Sequence, residues 1–201
     1  MRLNRVEYAM MNNPLRASIQ RRFEARRLLR MGGPLGGGAA LEIGCGRGVG
    51  TQLIFEVFAA DRVDAFDLDP RMAAQARRRV ARYGDRARIW VGDATAIAAP
   101  DASYDAVFDF GIIHHIPGWR GALAEVRRVL KPGGRFYAEE ILSDFIHNPV
   151  VRRLLDHPLE DRFDAATFSA ALAEHGLTPL ESSAFGGWVA WVVAAKAATA
   201  S

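Results

Sequence analysis

The 201-residue chain is 50% hydrophobic and 24% charged, carries a formal net charge of +3 and holds one cysteine, Cys45. That length suits one α/β domain with a full core and is short for two. The composition is globular rather than disordered, and the charge falls well short of a nucleic-acid-coating protein. A lone cysteine excludes an internal disulfide framework and fits a reducing, cytoplasmic setting. The start has no apolar h-region, and no run approaches about eighteen apolar residues, so neither a signal peptide nor a membrane-spanning helix is expected.

Residues 13–30 read as the first helix. Pro14 suits its first turn. Leu15, Ile19 and Phe23 recur every four residues and share a face, while Arg16, Arg21, Arg22, Arg26, Arg27 and Arg30 crowd the remainder against Glu24. Three roles fit such a helix: packing its stripe on the domain, covering an acceptor pocket as a lid, or touching an anionic membrane as a peripheral contact. Gly-Gly-Pro-Leu-Gly-Gly-Gly at 32–38 reads as a flexible linker.

The organising stretch is Leu41-Glu42-Ile43-Gly44-Cys45-Gly46-Arg47-Gly48-Val49-Gly50. Residues 39–43 suit a buried parallel strand, and residues 51–58 an apolar helix. Between them the glycines stand at alternate positions, so a ligand can lie against bare backbone with the free N–H groups of a helix start above it. Such a unit also serves dehydrogenases and phosphate-binding folds. Here Val49 stands where G-x-G-x-x-G needs its last glycine, no Lys-Ser or Lys-Thr follows, and an acid, Glu42, precedes the first glycine by two. Cys45 reads as a small residue tolerated in a tight loop, since no histidine or acid stands beside it to activate it.

A second strand at 63–66 ends in Asp67-Leu68-Asp69-Pro70. In a doubly wound sheet the acid here lies beside the glycine turn, about twenty residues on, where it can accept hydrogen bonds from two ribose hydroxyls. Asp69 with Pro70 reads as the cap of the next helix, residues 71–82. A third strand at 88–91 leads into Gly92-Asp93-Ala94, where Asp93 also fits a plain turn aspartate. A fourth strand at 106–110 ends in Phe110-Gly111-Ile112-Ile113-His114-His115-Ile116-Pro117, at the end of the sheet that faces the ligand crevice. Adjacent histidines point different ways, and no Cys or acid joins them at ligand spacing, so no metal is expected. An amphipathic helix at 121–130, then Lys131-Pro132-Gly133-Gly134, leads to a fifth strand at 135–142 that ends in Glu139 and Glu140. Either acid could face an acceptor, cap the strand or pair with an arginine. Residues 143–162 depart from the regular alternation and carry an apolar patch at 150–155. Asp164 caps a helix at 165–175 that Gly176 stops, and strands at 177–185 and 188–196 close the chain as a hairpin over Gly186-Gly187.

The run Glu42-x-Gly44-x-Gly46, Asp67, Gly92-Asp93-Ala94, Tyr104-Asp105-x-Val107 and Leu130-Lys131-Pro132-Gly133-Gly134 resembles the class I S-adenosylmethionine-dependent methyltransferases, in their small-molecule branch near the quinone-biosynthesis enzymes. The resemblance covers about residues 39–197. It implies a three-layer α/β Rossmann-like sheet of seven strands, six parallel and one antiparallel, with helices on both faces. It divides the chain into an N-terminal helical lid and glycine linker (1–38) and a methyltransferase domain (39–201) whose insertion (143–162) covers the acceptor pocket. S-adenosyl-L-methionine would lie with its amino-acid end at Glu42, Gly44, Cys45 and Gly46, its ribose on Asp67 beside Leu68, its adenine by Asp93 and Ala94, and its methionine part over Phe110 and Gly111. His114, His115 and Glu140 are the candidates for acid–base work. The implied acceptor is small and hydrophobic or lipid-like: no Asn/Asp-Pro-Pro-Tyr motif marks a nucleic-acid or amide substrate. Two rivals remain, a non-catalytic cofactor- or RNA-binding module and a nicotinamide-dependent dehydrogenase.

Overall fold

The computed structural model describes residues 23–148 and 161–198. Seven strands form one sheet: β1 (Ala39–Ile43), β2 (Arg62–Asp67), β3 (Ala87–Val91), β4 (Tyr104–Phe110), β5 (Leu130–Ile141), β6 (Leu177–Phe185) and β7 (Val189–Lys196). Their order is β3-β2-β1-β4-β5-β7-β6. The contacts β1–β2, β1–β4, β2–β3 and β4–β5 are parallel, and β7 runs antiparallel to both neighbours. Six strands therefore share a direction and one opposes them, as expected. The order turns back on itself between β1 and β4, and in open α/β sheets that switch opens a crevice at the carboxyl ends of the strands.

Helices cover both faces. On one lie α1 (Ala25–Gly32), α2 (Val49–Phe58) and α3 (Pro70–Val80); Leu28, Leu53, Ile54 and Phe58 bury against Phe108, Tyr137 and Val193, and Ala73, Ala76 and Val80 against Ala65 and Ile89. On the other lie α4 (Arg120–Val129) and α6 (Ala165–Glu174); Trp119, Leu123, Val126, Phe168 and Leu172 bury against Leu41, Val107, Phe136 and Val192. A short α5 (Ser143–His147) follows β5. β4 is apolar except at its edges and at Asp109, the run of a strand covered on both faces. The caps read from sequence are in place: Asp69 accepts from the Arg71 N–H at 2.8 Å and Asp164 from the Thr167 N–H at 2.7 Å. Among the described residues no helix is long and apolar enough to cross a membrane.

The N-terminal region differs from expectation. Leu15 and Ile19 lie outside the described residues, as does the 150–155 patch. Phe23, the described member of the stripe, is 68% exposed, while Ala25 and Leu28 are fully buried. The linker is not free. The Leu35 and Gly37 N–H groups donate to the Phe58 and Ala59 carbonyls at 2.8 and 2.9 Å, and the Tyr137 hydroxyl donates to the Gly32 and Gly33 carbonyls, each at 3.0 Å. Glycine is needed there for shape rather than mobility: a Cβ on Gly32 would strike the Tyr137 ring. The Lys131-Pro-Gly-Gly134 segment also departs from a simple turn. It is the first part of β5, with a register break opposite Tyr104–Ala106, and Lys131 pairs with Asp105 at 2.8 Å.

Candidate active site

The glycine turn after β1 is built from left-handed backbone. Gly44 has φ +65°, and a Cβ there would press into the Ile112 side chain at 2.6 Å, because the turn after β4 closes on it. Gly46 has φ +51°, and a Cβ there would meet nothing within 4 Å. One glycine is thus required by packing against β4, and the next leaves open room over the loop.

Asp67, at the tip of β2, faces that turn. Its carboxylate accepts from the Gly46 N–H and the Asp69 N–H, each at 2.8 Å. Burial raises its pKa above the usual carboxylate range, against the pull of those two amides. Leu68 beside it is 57% exposed, an apolar side chain at the crevice rim. Asp93, after β3, is exposed; one oxygen accepts from the Thr95 N–H and hydroxyl at 2.8 Å. Asp93 is therefore the turn aspartate and still has its second oxygen at the rim, with Ala94 buried beneath. The tips of β1, β2 and β3 thus bring together bare backbone, an acid, an exposed apolar side chain and a second acid. Those features match the amino-acid end, ribose and adenine of an S-adenosyl group, and the residues present fit it.

Glu42 and Cys45 lie beneath rather than in that space. Glu42 is buried under the first turn of α2, where the Thr51 hydroxyl donates to it and Gly50 leaves room for its carboxyl. Burial, with Asp67 and Asp109 nearby, pushes the Glu42 pKa up to about 8. Burial likewise raises the Cys45 thiol far above its usual range, which makes it inert as a nucleophile.

On the far side of the crevice, β4 and β5 end in a buried polar cluster. Glu140 accepts from the Ile113 N–H at 2.7 Å, the His114 N–H at 3.2 Å and the His114 Nδ1 at 2.5 Å. Asp109 accepts from the Ile112 N–H at 2.9 Å. Burial raises both carboxyls; the Glu140 charge raises Asp109 further, whereas a hydrogen bond from Asp109 and the Ile113 and His114 amides pull Glu140 down, so Asp109 is the one that keeps a proton. The His115 ring lies against that of His114, centroids 4.0 Å apart and planes inclined by 39°, and is half-buried. Glu139 points to the opposite face and accepts from the Trp191 indole at 2.8 Å. Phe110 and Gly111 form the strand end between these halves.

Sequence reading missed Asp109, Thr51 and Ile112. An acid between Phe108 and Phe110 in an otherwise apolar strand was the available signal for the first, since buried acids are rare unless partnered. Thr51 and Ile112 gave none, because their partners are distant in sequence. Among the described residues no cluster of His, Cys, Asp or Glu could hold a metal.

A methyltransferase-domain model matches residues 40–134. A probable S-adenosylmethionine-dependent methyltransferase of Mycolicibacterium smegmatis is 42% identical over 96 residues, 48% of this chain and 35% of its own. A demethylmenaquinone methyltransferase of Tropheryma whipplei is 32% identical over 123 residues, 61% of this chain and 48% of its own. The chain therefore spans between a third and a half of the length of these relatives. The crystal structure of a SAM-dependent methyltransferase from Aquifex aeolicus superposes with TM-score 0.75 at 18% identity, covering 97% of this chain and all of that one. Joined to the motif order and the six-plus-one sheet, these matches show a methyltransferase domain over residues 40–134, on a Rossmann-like fold similar to that of S-adenosylmethionine-dependent methyltransferases.

Proposed function

We propose that the protein transfers a methyl group from S-adenosylmethionine to a small, apolar acceptor. The observation that carries this reading is the open cradle at Gly46 with Asp67 across it. The Gly44–Gly46 backbone would hold the amino-acid end, Asp67 the ribose hydroxyls, and Leu68 with Asp93 the adenine. When bound, the cofactor supplies an activated methyl on a sulfonium, so the protein's part is position and exclusion of water.

The acceptor side rests on the tips of β4, β5 and β7. Ile112 and Ile116 flank the histidines, and Phe145, Trp188 and Phe185 form an aromatic group at the hairpin tip, with centroids 5.9 and 6.5 Å apart. Such walls favour an apolar molecule, and the demethylmenaquinone methyltransferase relative supports a quinol-like one. A hydroxyl acceptor gives up one proton as its oxygen is methylated. Of His114, His115, Asp109, Glu139 and Glu140, only His115 is not buried, so His115 takes that role and Glu140 and His114 stand behind it.

Calorimetry with S-adenosylhomocysteine and with NAD tests the cofactor. Heat from the homocysteine ligand and none from NAD is expected, and the reverse refutes the reading. Transfer of labelled methyl to a panel of lipophilic phenols, quinols and phospholipids then tests the acceptor class.

A further inference from the structure

Three consecutive backbone N–H groups follow Gly111: those of Ile112, Ile113 and His114. All three are taken by two carboxyls from beneath, Ile112 by Asp109 and the other two by Glu140. A turn whose amides converge in this way ordinarily forms a cradle for an anion; here protein acids fill it. Glu140 does more than accept amides. With both oxygens already receiving amide protons, it meets the His114 Nδ1 at 2.5 Å as an acceptor, so Nδ1 carries the hydrogen and the ring is fixed in tautomer and orientation. The Arg162 guanidinium donates to the His114 carbonyl and closes the far side of the turn. On the fixed His114 ring lies His115, 4.0 Å away, and on the turn's other flank Ile112 fills the space that lets only glycine stand at position 44.

We propose that Glu140, with Asp109 and His114, is a positioning clamp for the post-β4 turn, setting Ile112 against the cofactor loop and His115 against the acceptor, and that neither Glu140 nor His114 exchanges protons with substrate. The proposal rests on the methyltransferase reading for what His115 faces, but the clamp itself rests on geometry alone. Its energetic logic is that of buried hydrogen bonds: an amide that loses its carboxyl acceptor here is left buried and unpaired, which is costly. Replacing the Glu140 carboxylate by an amide puts a donor where the turn offers only donors, so the amide must turn away from either the His114 N–H or its ring. The conservative exchange at position 114 has the opposite property. In H114N the side-chain amide can still donate to Glu140, whereas H114A cannot.

Imidazole-nitrogen NMR on the full chain with isotope-labelled histidine, at neutral pH and with and without S-adenosylhomocysteine, tests this. In the unaltered protein the His114 proton sits on Nδ1, and the ligand shifts the His115 signals. In E140Q the Nδ1 proton signal of His114 is lost and the His115 signals no longer follow the ligand. The ligand is added at saturation in every variant, so the His115 response is read with the cofactor site filled. H114N keeps the His115 response and H114A loses it, a comparison that holds even if E140Q fails to fold. An unchanged His115 response in E140Q, equal behaviour of H114N and H114A, or a His114 proton on Nε2 overturns the clamp. Failure of the unaltered protein to bind the ligand overturns the methyltransferase reading instead, and the Nδ1 signal still judges the clamp.

Discussion

Glu42→Gln isolates the cost of burying an acid under the cofactor loop. Glu42 is buried beside the N-terminus of α2, and its pKa rises from the usual 4.5 to about 8. The folded protein therefore keeps a proton there up to about pH 8, while the unfolded chain gives it up above 4.5. Folding takes up a proton in that window, so the contribution is fully present below pH 4.5 and is lost as pH rises towards 8. The loss is about 1.4 kcal/mol per pH unit, or roughly 3 kcal/mol by pH 7. Glutamine can still accept from the Thr51 hydroxyl and has no proton to lose. Urea unfolding of both proteins at several pH values between 5 and 8 should show the E42Q stability rising relative to the parent by about 1.4 kcal/mol per unit. A constant offset fitted to any local misfit is compatible with this. Parallel stability curves, with no pH-dependent gap, would mean that Glu42 is ionised in the folded state and that the account of its burial fails.

Asp67→Ala should weaken S-adenosylhomocysteine binding by about 1.5–3 kcal/mol in calorimetry, the worth of hydrogen bonds to a charged group; Asp69→Ala should leave binding alone and cost about 1 kcal/mol of stability as a lost helix cap. Because the Asp67 carboxyl is raised above the usual range, binding should also fall on mild acidification as that group protonates, and the D67A protein should lack this dependence. Gly46→Ala should fold, at a cost of about 1–2 kcal/mol for its left-handed backbone, and bind the cofactor product at least about tenfold more weakly, while Gly44→Ala should be unstable through its clash with Ile112; equal stability of the two would contradict the packing described. Deleting residues 1–22 should leave the fold and cofactor affinity intact and lower methyl transfer if that segment covers the acceptor, whereas deletion to residue 34 removes buried Leu28, a loss of roughly 2–5 kcal/mol even when only truncated to alanine.

The parts of this molecule legible in its sequence are those in which cause and effect lie within a few residues. Alternate glycines at 44, 46 and 48, the caps at Asp69 and Asp164 and the Gly186-Gly187 hairpin each determine backbone locally, and the structure has them where the sequence places them. Strand direction also follows from local signals, since the helices between β1 and β2, β2 and β3, and β4 and β5 make those connections parallel crossovers and the Gly186-Gly187 turn makes the last pair antiparallel. The N-terminal helix shows the limit. Its four-residue spacing points to Leu15, Ile19 and Phe23 as the buried stripe, yet Ala25 and Leu28 are buried and Phe23 is exposed, because the face that packs is chosen by Phe58, Tyr137 and Val193, more than twenty residues away.

The acids at the strand tips carry the same lesson into function. Glu42, Asp109, Glu139 and Glu140 all read as surface residues by type, and all four are buried. Each stands at or next to the carboxyl end of a parallel strand, where helix starts and tight turns present N–H groups that have no partner of their own. For Asp109 and Glu140 the donors are such amides, those of Ile112, Ile113 and His114; for Glu42 and Glu139 they are side chains, the Thr51 hydroxyl and the Trp191 indole. In a doubly wound sheet that end is also where the ligand lies, so donors left over from folding and acids that consume them meet at the site itself. The acids that keep their carboxylates at the rim, Asp67 and Asp93, are then the ones available to a ligand, and those drawn inward, Glu42 and Glu140, fix the loops on which it rests. Exposure, and not the number of amides, separates the two groups: Asp67 accepts two backbone amides, as Glu140 does, yet stays only half-buried at the tip of β2.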